Sequence, residues 1–177
     1  MAFYDVFNGD ADGICSLLQL RLATPRDSVL VTGVKRDIDL LKQVDASAAD
    51  SITVLDVSMD KNQADLARVL AQGAQVFYCD HHDAGEIPQH ANLQALINTD
   101  ANVCTSLLIN GHLQGAYPLW AITGAYGDNL NKSAEAVARP LGLSSDVLAR
   151  LEKLGIYINY NGYGAALDDL HFYPDAL

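Results

Sequence analysis

Asp80, His81 and His82 stand consecutively where an apolar run, Ala74-Gln75-Val76-Phe77-Tyr78-Cys79, gives out. Neither strand nor helix propensity asks for that tripeptide. Upstream, Asp10 and Asp12 flank Ala11 just after Phe3–Phe7, and Asp56 closes Ser51-Ile52-Thr53-Val54-Leu55. Carboxylates gathered at one place repel one another unless a cation binds them. Imidazole with carboxylate is a donor set for a first-row transition ion such as Mn2+, Co2+ or Fe2+. A site of that kind activates water and neutralises charge on a phosphate. The residue types therefore point to a divalent-metal site with hydrolytic chemistry.

Such residues need a scaffold that collects strand ends. From Phe3 to Ile97 strand and helix signals alternate, which predicts an α/β fold. The expected architecture is doubly wound, with a mainly parallel five-stranded sheet, flanking helices and a helical C-terminal part. Strands are expected at Phe3–Phe7, Ser28–Val34, Ile52–Asp56, Gln75–Cys79 and Leu93–Ile97. Helices are expected at Ile14–Leu22, Ile38–Val44 and Asp60–Ala71. The last opens with Asp60-x-x-Gln63, the form of a capping box, and stops before Gly73. Beyond Asp100, Val103–Leu113, Pro118–Tyr126, Lys132–Ala138 and Ser145–Leu154 read as helices. Ligands of an open parallel sheet gather beyond the carboxyl ends of its strands. Asp10, Asp12, Asp56 and Asp80 all fall there.

Taken singly, several of these residues have a second reading. Asp10 and Asp12, two apart in an extended segment, point the same way and can address one ion or two neighbours. Gly13 lets the chain turn tightly into the next helix. An Asp-rich turn also caps helices, and so does Asp56, in competition with Ser58. Asp128, in Gly124-Ala125-Tyr126-Gly127-Asp128-Asn129, ends a helical segment, and spacing alone does not tie it to the others. Asp100 reads as the N-cap of the helix after the fifth strand. His90, His112 and His171 lack acidic or cysteine neighbours at ligand spacing. Lys35-Arg36, the one basic pair near the proposed edge, reads first as solvated surface and second as a phosphate contact.

Composition bounds the rest. The chain has 177 residues, 50% hydrophobic and 19% charged, which describes one globular domain with a sizeable core. A formal charge of -11 disfavours indiscriminate binding to polyanions. Part of that excess sits in the proposed site, where a cation would reverse the local field. The 3 cysteines, Cys15, Cys79 and Cys104, have no close pair or zinc spacing and read as reduced core residues. No apolar run approaches the ~20 residues that span a bilayer. The N-terminus shows no secretory pattern, so cytoplasmic residence is expected, with no membrane partner. No P-loop, Gly-x-Gly-x-x-Gly or Gly-x-Ser-x-Gly is present.

Together the acidic and histidine residues resemble the four motifs of the DHH phosphoesterase superfamily, named for Asp-His-His. Asp10-Ala11-Asp12-Gly13 looks like the first motif, Asp56 the second, Asp80-His81-His82 the third and Asp128 the fourth. The resemblance covers residues 1 to about 130. It implies that Asp10, Asp12, Asp56, His81 and Asp128 bind two Mn2+ ions, with Mg2+ or Co2+ as substitutes and Asp56 and Asp128 as bridges. Asp80 and His82 are the implied catalytic pair, Asp80 orienting the histidines and His82 facing the substrate phosphate. The implied activity is hydrolysis of a phosphodiester or phosphomonoester of a small nucleotide or short single-stranded oligonucleotide.

Two positions depart from the superfamily pattern. Val6 stands where many relatives carry a histidine, and Asn8 where some carry a further Asp. Asn8 is kept as an auxiliary ligand. Residues 1–156 read as the DHH-type domain, and 157–177 as a connector or the start of a missing C-terminal domain. No Gly-Gly-Gly-His substrate motif is found, so weak activity is expected of this chain alone. Competing readings are a haloacid-dehalogenase-like phosphatase with Asp10 as nucleophile, a phospho-receiver domain with Asp56 as acceptor, and a DHH domain that binds a phosphorylated ligand without turnover.

Overall fold

Residues on alternate sides of each strand are apolar, so the sheet must be covered on both faces. In the computed structural model, which describes residues 1–177, five parallel strands meet that need. They are β1 (Phe3–Phe7), β2 (Val29–Val31), β3 (Ser51–Leu55), β4 (Gln75–Asp80) and β5 (Leu93–Ile97), in the order β2-β1-β3-β4-β5. Val6, Ile52, Val54, Val76 and Tyr78 face one way and pack on Leu66, Val69 and Leu70 of α2 (Met59–Ala71). Phe7, Leu55 and Cys79 face the other way, against Ile14 and Leu17 of α1 (Ala11–Ala23), Ile109 of α3 (Thr105–His112) and Ile158 of α6 (Ser145–Asn161). A third cluster joins α3 to α4 (Pro118–Gly127) and α5 (Asn131–Ala138) through Cys104, Ile122, Ala125 and Ala134. The fold is the expected doubly wound α/β domain with a parallel five-stranded sheet and a helical C-terminal part. All three cysteines are buried and unpaired, and no helix is long and apolar enough to cross a membrane.

Register places the site. Phe7 pairs with Leu55, and Leu55 with Cys79. Asn8, Asp56 and Asp80 therefore leave the sheet side by side at its carboxyl edge. β2 lies on one side of β1 and β3 on the other. The connections out of β1 and β3 thus diverge, and an open crevice forms between them at that edge.

Some local expectations are corrected. β2 ends at Val31 rather than Val34, because the Val34 N–H turns to the Asp37 carboxylate (3.0 Å). The helix expected at Ile38–Val44 is a 3-10 turn, Leu40–Gln43. Asn62 of α2 pins it, accepting from the Leu41 N–H (3.1 Å) and donating to the Ile38 carbonyl (2.7 Å). No capping box forms at α2. Gln63 donates to the carbonyls of Ala84 and Glu86, and Asp60 pairs with Lys61 at the surface. Asp100 does not cap α3, whose N-cap is Cys104; its carboxylate holds Asn102 within the loop.

α6 runs past Leu154 to Asn161 because its far end is packed, with Gly155, Ile158 and Asn161 buried. The chain then folds back. The Asn161 side chain bonds both the N–H and the carbonyl of Phe172, and Pro174 is buried. Gly162 lies against the loop after β1, where an added Cβ would stand 3.1 Å from the Gly9 carbonyl oxygen.

Candidate metal centre

The first carboxylates arrive on the β1–α1 turn. Asp10 is the N-cap of α1, its Oδ1 accepting from the N–H groups of Asp12 (3.0 Å) and Gly13 (3.1 Å). Its Oδ2 pairs with the Lys35 ammonium. The turn is tight enough that a Cβ on Gly13 would sit 2.2 Å from the Asn8 carbonyl oxygen, so only glycine fits there. The cap reading of Asp10 is met. It sits on the site edge, but its oxygens are engaged by a helix and a lysine.

Asp12 reaches across to α3. Its two oxygens accept from the N–H groups of Thr105 (2.7 Å) and Ser106 (2.8 Å), so it supplies the cap that Asp100 was expected to supply. Burial opposes ionisation of Asp12. His81 and the bonds from Ser106 outweigh it and hold the carboxyl below the usual range.

Asp56 follows β3 with φ of 58°, in the left-handed region that a residue with a Cβ enters at a cost of about 1 kcal/mol or more. Asp tolerates that region better than most residues. Asp56 Oδ1 accepts from the Thr105 hydroxyl at 3.2 Å. Burial, then Asp12, Asp10 and Asp80, drive its pKa well above the ordinary carboxylate value.

Asp80 is the last residue of β4 and fully buried. Its Oδ1 bonds His82 Nδ1 at 2.7 Å, while its Oδ2 has no partner. That bond fixes the half-exposed His82 ring and raises its pKa. His81 turns inward. Its Nε2 lies 3.4 Å from Asp56 Oδ1, 3.8 Å from Asp128 Oδ2 and 3.9 Å from Asp12 Oδ2.

Asp128 comes from the far end of α4. Asn129 takes φ of 59° and closes the helix as a Schellman turn, with Asn129 N–H on the Tyr126 carbonyl (3.1 Å) and Leu130 N–H on the Ala125 carbonyl (2.8 Å). Helix packing then brings that end to the sheet. A Cβ on Gly127 would meet Ala11 Cβ at 2.3 Å, and one on Gly155 would meet the Thr123 carbonyl oxygen at 2.2 Å. Burial, then Asp12, pushes the Asp128 carboxyl up to about 6.

Four elements thus bring donors to His81 in two groups, Asp56 with His81 and His82, and Asp12 with His81 and Asp128, the ligand atoms of each lying within 4.8 Å of one another. Donors about 2.1 Å from an ion stand roughly 3 to 3.5 Å apart. His81 Nε2 lies 3.4 to 3.9 Å from Asp56, Asp128 and Asp12, so each group needs only slight contraction at His81 to hold an ion. Raised carboxyl pKa values mark charge that lacks a counter-ion, so the donor set fits a divalent cation. His82 Nδ1 also lies 4.0 Å from Asp56 Oδ1, but its bond to Asp80 competes for that nitrogen.

Asn8 and Val6, the two positions that depart from the superfamily pattern, have structural partners. Asn8 bonds the Asp10 N–H through its oxygen (3.1 Å) and the Lys35 carbonyl through its amide (3.0 Å), so it holds the loop. Val6 lies in the core facing α2. A groove of about 380 Å3 lined by Phe7, Ile14, Leu17, Leu30 and Pro174 contains none of the carboxylates or histidines of the centre.

Sequence reasoning missed Thr105, Ser106 and Asn159, and it favoured a solvated surface for Lys35. Lys35 is instead directed into the site, where Asp10 and its neighbours hold its pKa up against burial. Its place beyond β2 was the available signal. Thr105 and Ser106 gave only the weaker hint of hydroxyl residues at a helix start.

Comparison with known proteins agrees with this fold. Exonuclease RecJ bound to manganese superposes with a TM-score of 0.56 at 17% identity, covering 91% of this chain and 53% of RecJ. The DHH domain of a protein described as a member of the S1p family of ribosomal proteins gives 0.62 at 13% identity, covering 89% and 47%. RecJ from Thermus thermophilus in complex with Mn2+ gives 0.50 at 17% identity, covering 85% and 28%. The chain therefore spans about half the length, or less, of these structures, and at such identities they speak to the fold alone. No curated protein matches the sequence. The model of the DHH family N-terminal domain matches residues 3–139, the stretch that carries every strand and every acidic and histidine residue of the centre, and the chain belongs to the DHH family.

Proposed function

We propose that this chain is a metal-dependent phosphoesterase. It uses Mn2+ by preference and hydrolyses a phosphodiester or phosphomonoester of a small nucleotide or short single-stranded oligonucleotide. The observation that carries the reading is His81 Nε2 facing the carboxylates of Asp12, Asp56 and Asp128. Asp12 and Asp128 on one side of His81, and Asp56 on the other, are the donors for the metal, with Asp10 beside them. A bound ion there supplies a water of lowered pKa and neutralises charge on the attacked phosphate.

The protein's part is positioning. Asp80, buried with one oxygen on His82, fixes the ring so that it faces incoming phosphate. With Nδ1 bonded to a carboxylate, Nε2 has no protein partner and is available to a phosphate oxygen or leaving group. Asp12, anchored on α3, keeps its charge, and Thr105 steadies Asp56. Manganese in the RecJ structures and the exonuclease name of that protein support both the ion and the substrate class.

The test is a hydrolysis screen of the EDTA-stripped protein with Mn2+ restored. Substrates are a generic phosphodiester, a nucleotide 3′-phosphate, a cyclic dinucleotide and short single-stranded oligonucleotides. Mn2+-dependent cleavage of at least one is expected. His81→Ala should abolish it, and His82→Ala should lower turnover with a smaller loss of metal. Full Mn2+ occupancy without cleavage of any substrate would replace this reading with ligand binding.

A further inference from the structure

The end of α6 closes on the loop that carries Asp10. A Cβ on Gly162 would stand 3.1 Å from the Gly9 carbonyl oxygen and 3.4 Å from Asp10 Cα. The Gly162 carbonyl accepts the Lys35 N–H (2.8 Å). Asn159 Oδ1 accepts from the Lys35 ammonium at 2.8 Å, and that ammonium also bonds Asp10. The next residue, Tyr163, is thereby fixed beside the metal edge, with Lys35 Nζ 6.0 Å from the centre of its ring.

Open aromatic surface stands at that point. Tyr160 and Tyr163 are 67% and 64% exposed, and Ile156 is 47% exposed. Spacings of four and three put these side chains along one flank of the helix end. The Tyr78 and Tyr117 hydroxyls donate to backbone carbonyls, but those of Tyr160 and Tyr163 bond no protein group. Neither burial nor hydrogen bonding therefore accounts for the two rings. Positive charge borders them. Lys35 lies beside Tyr163, and Arg36 donates to the Ala165 carbonyl (2.7 Å) in the turn that follows. Flat rings next to cations are what holds a single nucleic-acid strand, with bases stacked on the rings and phosphates against the cations. A chain with a net charge of -11 has little long-range attraction for a polyanion, so close contact has to supply the affinity.

We propose that Tyr163 and Tyr160 form a stacking platform for the bases of a short single-stranded substrate whose scissile phosphate lies at the metal edge. The chain then selects base-bearing esters over base-free ones. The proposal deepens the phosphoesterase reading and rests on it. A platform that begins at the Lys35–Asp10 pair favours an occupant joined to the reacting phosphate, which a nucleobase is and a protein partner is not. The base next to that phosphate lies on Tyr163, and the following base lies on Tyr160. Stacking tolerates any base, so the selection is for the presence of a base and not for its identity. Tyr157 is as exposed as Tyr163 but falls about 160° around the helix from Asn159, away from the platform.

The test uses the Mn2+-loaded chain and three probes: a 5′-phosphorylated thymidine dinucleotide, the same molecule with abasic sugars, and inorganic pyrophosphate. The wild-type chain should cleave the dinucleotide with a kcat/KM about tenfold or more above that of its abasic counterpart, chiefly through a lower KM. Tyr163→Ala should remove most of that advantage. Tyr163→Phe keeps the ring face and should retain it, and so should Tyr157→Ala. Equal cleavage of the two dinucleotides, or cleavage of pyrophosphate alone, overturns the proposal and leaves the phosphoesterase reading standing; both results come from the wild-type chain and need no variant to fold. A natively folded Tyr163→Ala with the full advantage also overturns it. No cleavage of any probe at full Mn2+ occupancy, nor of any substrate in the screen above, overturns both.

Discussion

The strand half and the helical half of the site are built by different forces. Asn8, Asp56 and Asp80 follow residues paired across one ladder, so backbone hydrogen bonds place them. Asp128 and the Thr105 and Ser106 amides are placed by helix packing and caps. Asp12 and Asp56 show what this does to charge. Asp12 receives two backbone N–H groups from α3 and is held ionised. Asp56, with one long hydroxyl bond and three acidic neighbours, is pushed the other way. The strands bring the carboxylates together, and the helices decide which of them keeps its charge comfortably. One carboxylate on this edge is anchored by two backbone N–H groups, and another sits among like charges with a single hydroxyl partner.

The sharpest way to break that contrast is to remove each carboxylate in turn. Asp12→Ala strands two buried N–H groups at the start of α3 and should cost roughly 2 to 4 kcal/mol in the metal-free protein. Asp56→Asn keeps an acceptor for Thr105 and removes a repelled charge. It should leave metal-free stability unchanged or raise it by about 1 kcal/mol. Both should erase the rise in melting temperature on adding Mn2+, whereas Asp60→Asn, at a surface ion pair, should preserve it. Denaturant melts in EDTA and in Mn2+ read both quantities. If Asp12→Ala and Asp56→Asn shift the metal-free melt equally, the division between the two halves is wrong.

A smaller effect should come from outside the donor set. Gly155 of α6 touches no carboxylate of the centre, yet an added Cβ would stand 2.2 Å from the Thr123 carbonyl oxygen and 2.8 Å from the Gly127 amide nitrogen. Gly155→Ala should wedge α6 from α4, cost about 1 to 3 kcal/mol and displace Asp128. Mn2+ affinity should fall by about tenfold while the strand-borne ligands stay in place. Gly111→Ala, where nothing lies within 4 Å, is the control and should be neutral or slightly stabilising. Calorimetric Mn2+ titration of the two variants separates them. Unchanged affinity in Gly155→Ala would mean that Asp128 is held by its own turn and not by packing.

What could be read in the sequence follows the same division. Strand ends were legible because apolar runs stop at Asp56 and Asp80, and period-2 burial leaves little freedom of register. The Asp-x-Asp-Gly turn was legible because Gly13 marks a tight entry to a helix. Asp128 could be linked to the others only through resemblance. Its position depends on Gly127 and Gly155 meeting across a helix pair, and no local pattern announces such a contact. Asp100 looked like the cap of α3, but a cap from Asp12, 93 positions away from Thr105, leaves no local signature. Lys35 was misread for a similar reason. Its partner Asn159 lies 124 positions on, in a helix whose sequence signal stops at Leu154. Contacts within an element or a ladder are written in the chain, and contacts between distant side chains and helix ends are written only in the fold.

The smallest predicted effect is a pH dependence that changes sign with metal. Asp128 is raised to about 6, and Asp56 and His82 are raised as well. A carboxyl whose folded pKa exceeds its unfolded value holds a proton that the unfolded chain releases. Stability therefore falls as pH rises from about 4, the unfolded value, through the folded one. His82 acts in the same direction, since its bond to Asp80 stabilises the protonated ring and that gain is lost as pH rises through the folded value. Asp12, depressed, acts oppositely only below about pH 4. In EDTA the melting temperature should drop by roughly 2 to 5 °C between pH 5 and pH 7, on the order of 1 kcal/mol. In saturating Mn2+ the trend should reverse, because the ion binds the deprotonated carboxylates and displaces those protons. Asp128→Asn should flatten much of the EDTA slope and leave the part due to Asp56 and His82, isolating the contribution of the helical half. An EDTA curve that climbs across this window would show that the helices stabilise the ionised carboxylates as a group, and the contrast between Asp12 and Asp56 would fall.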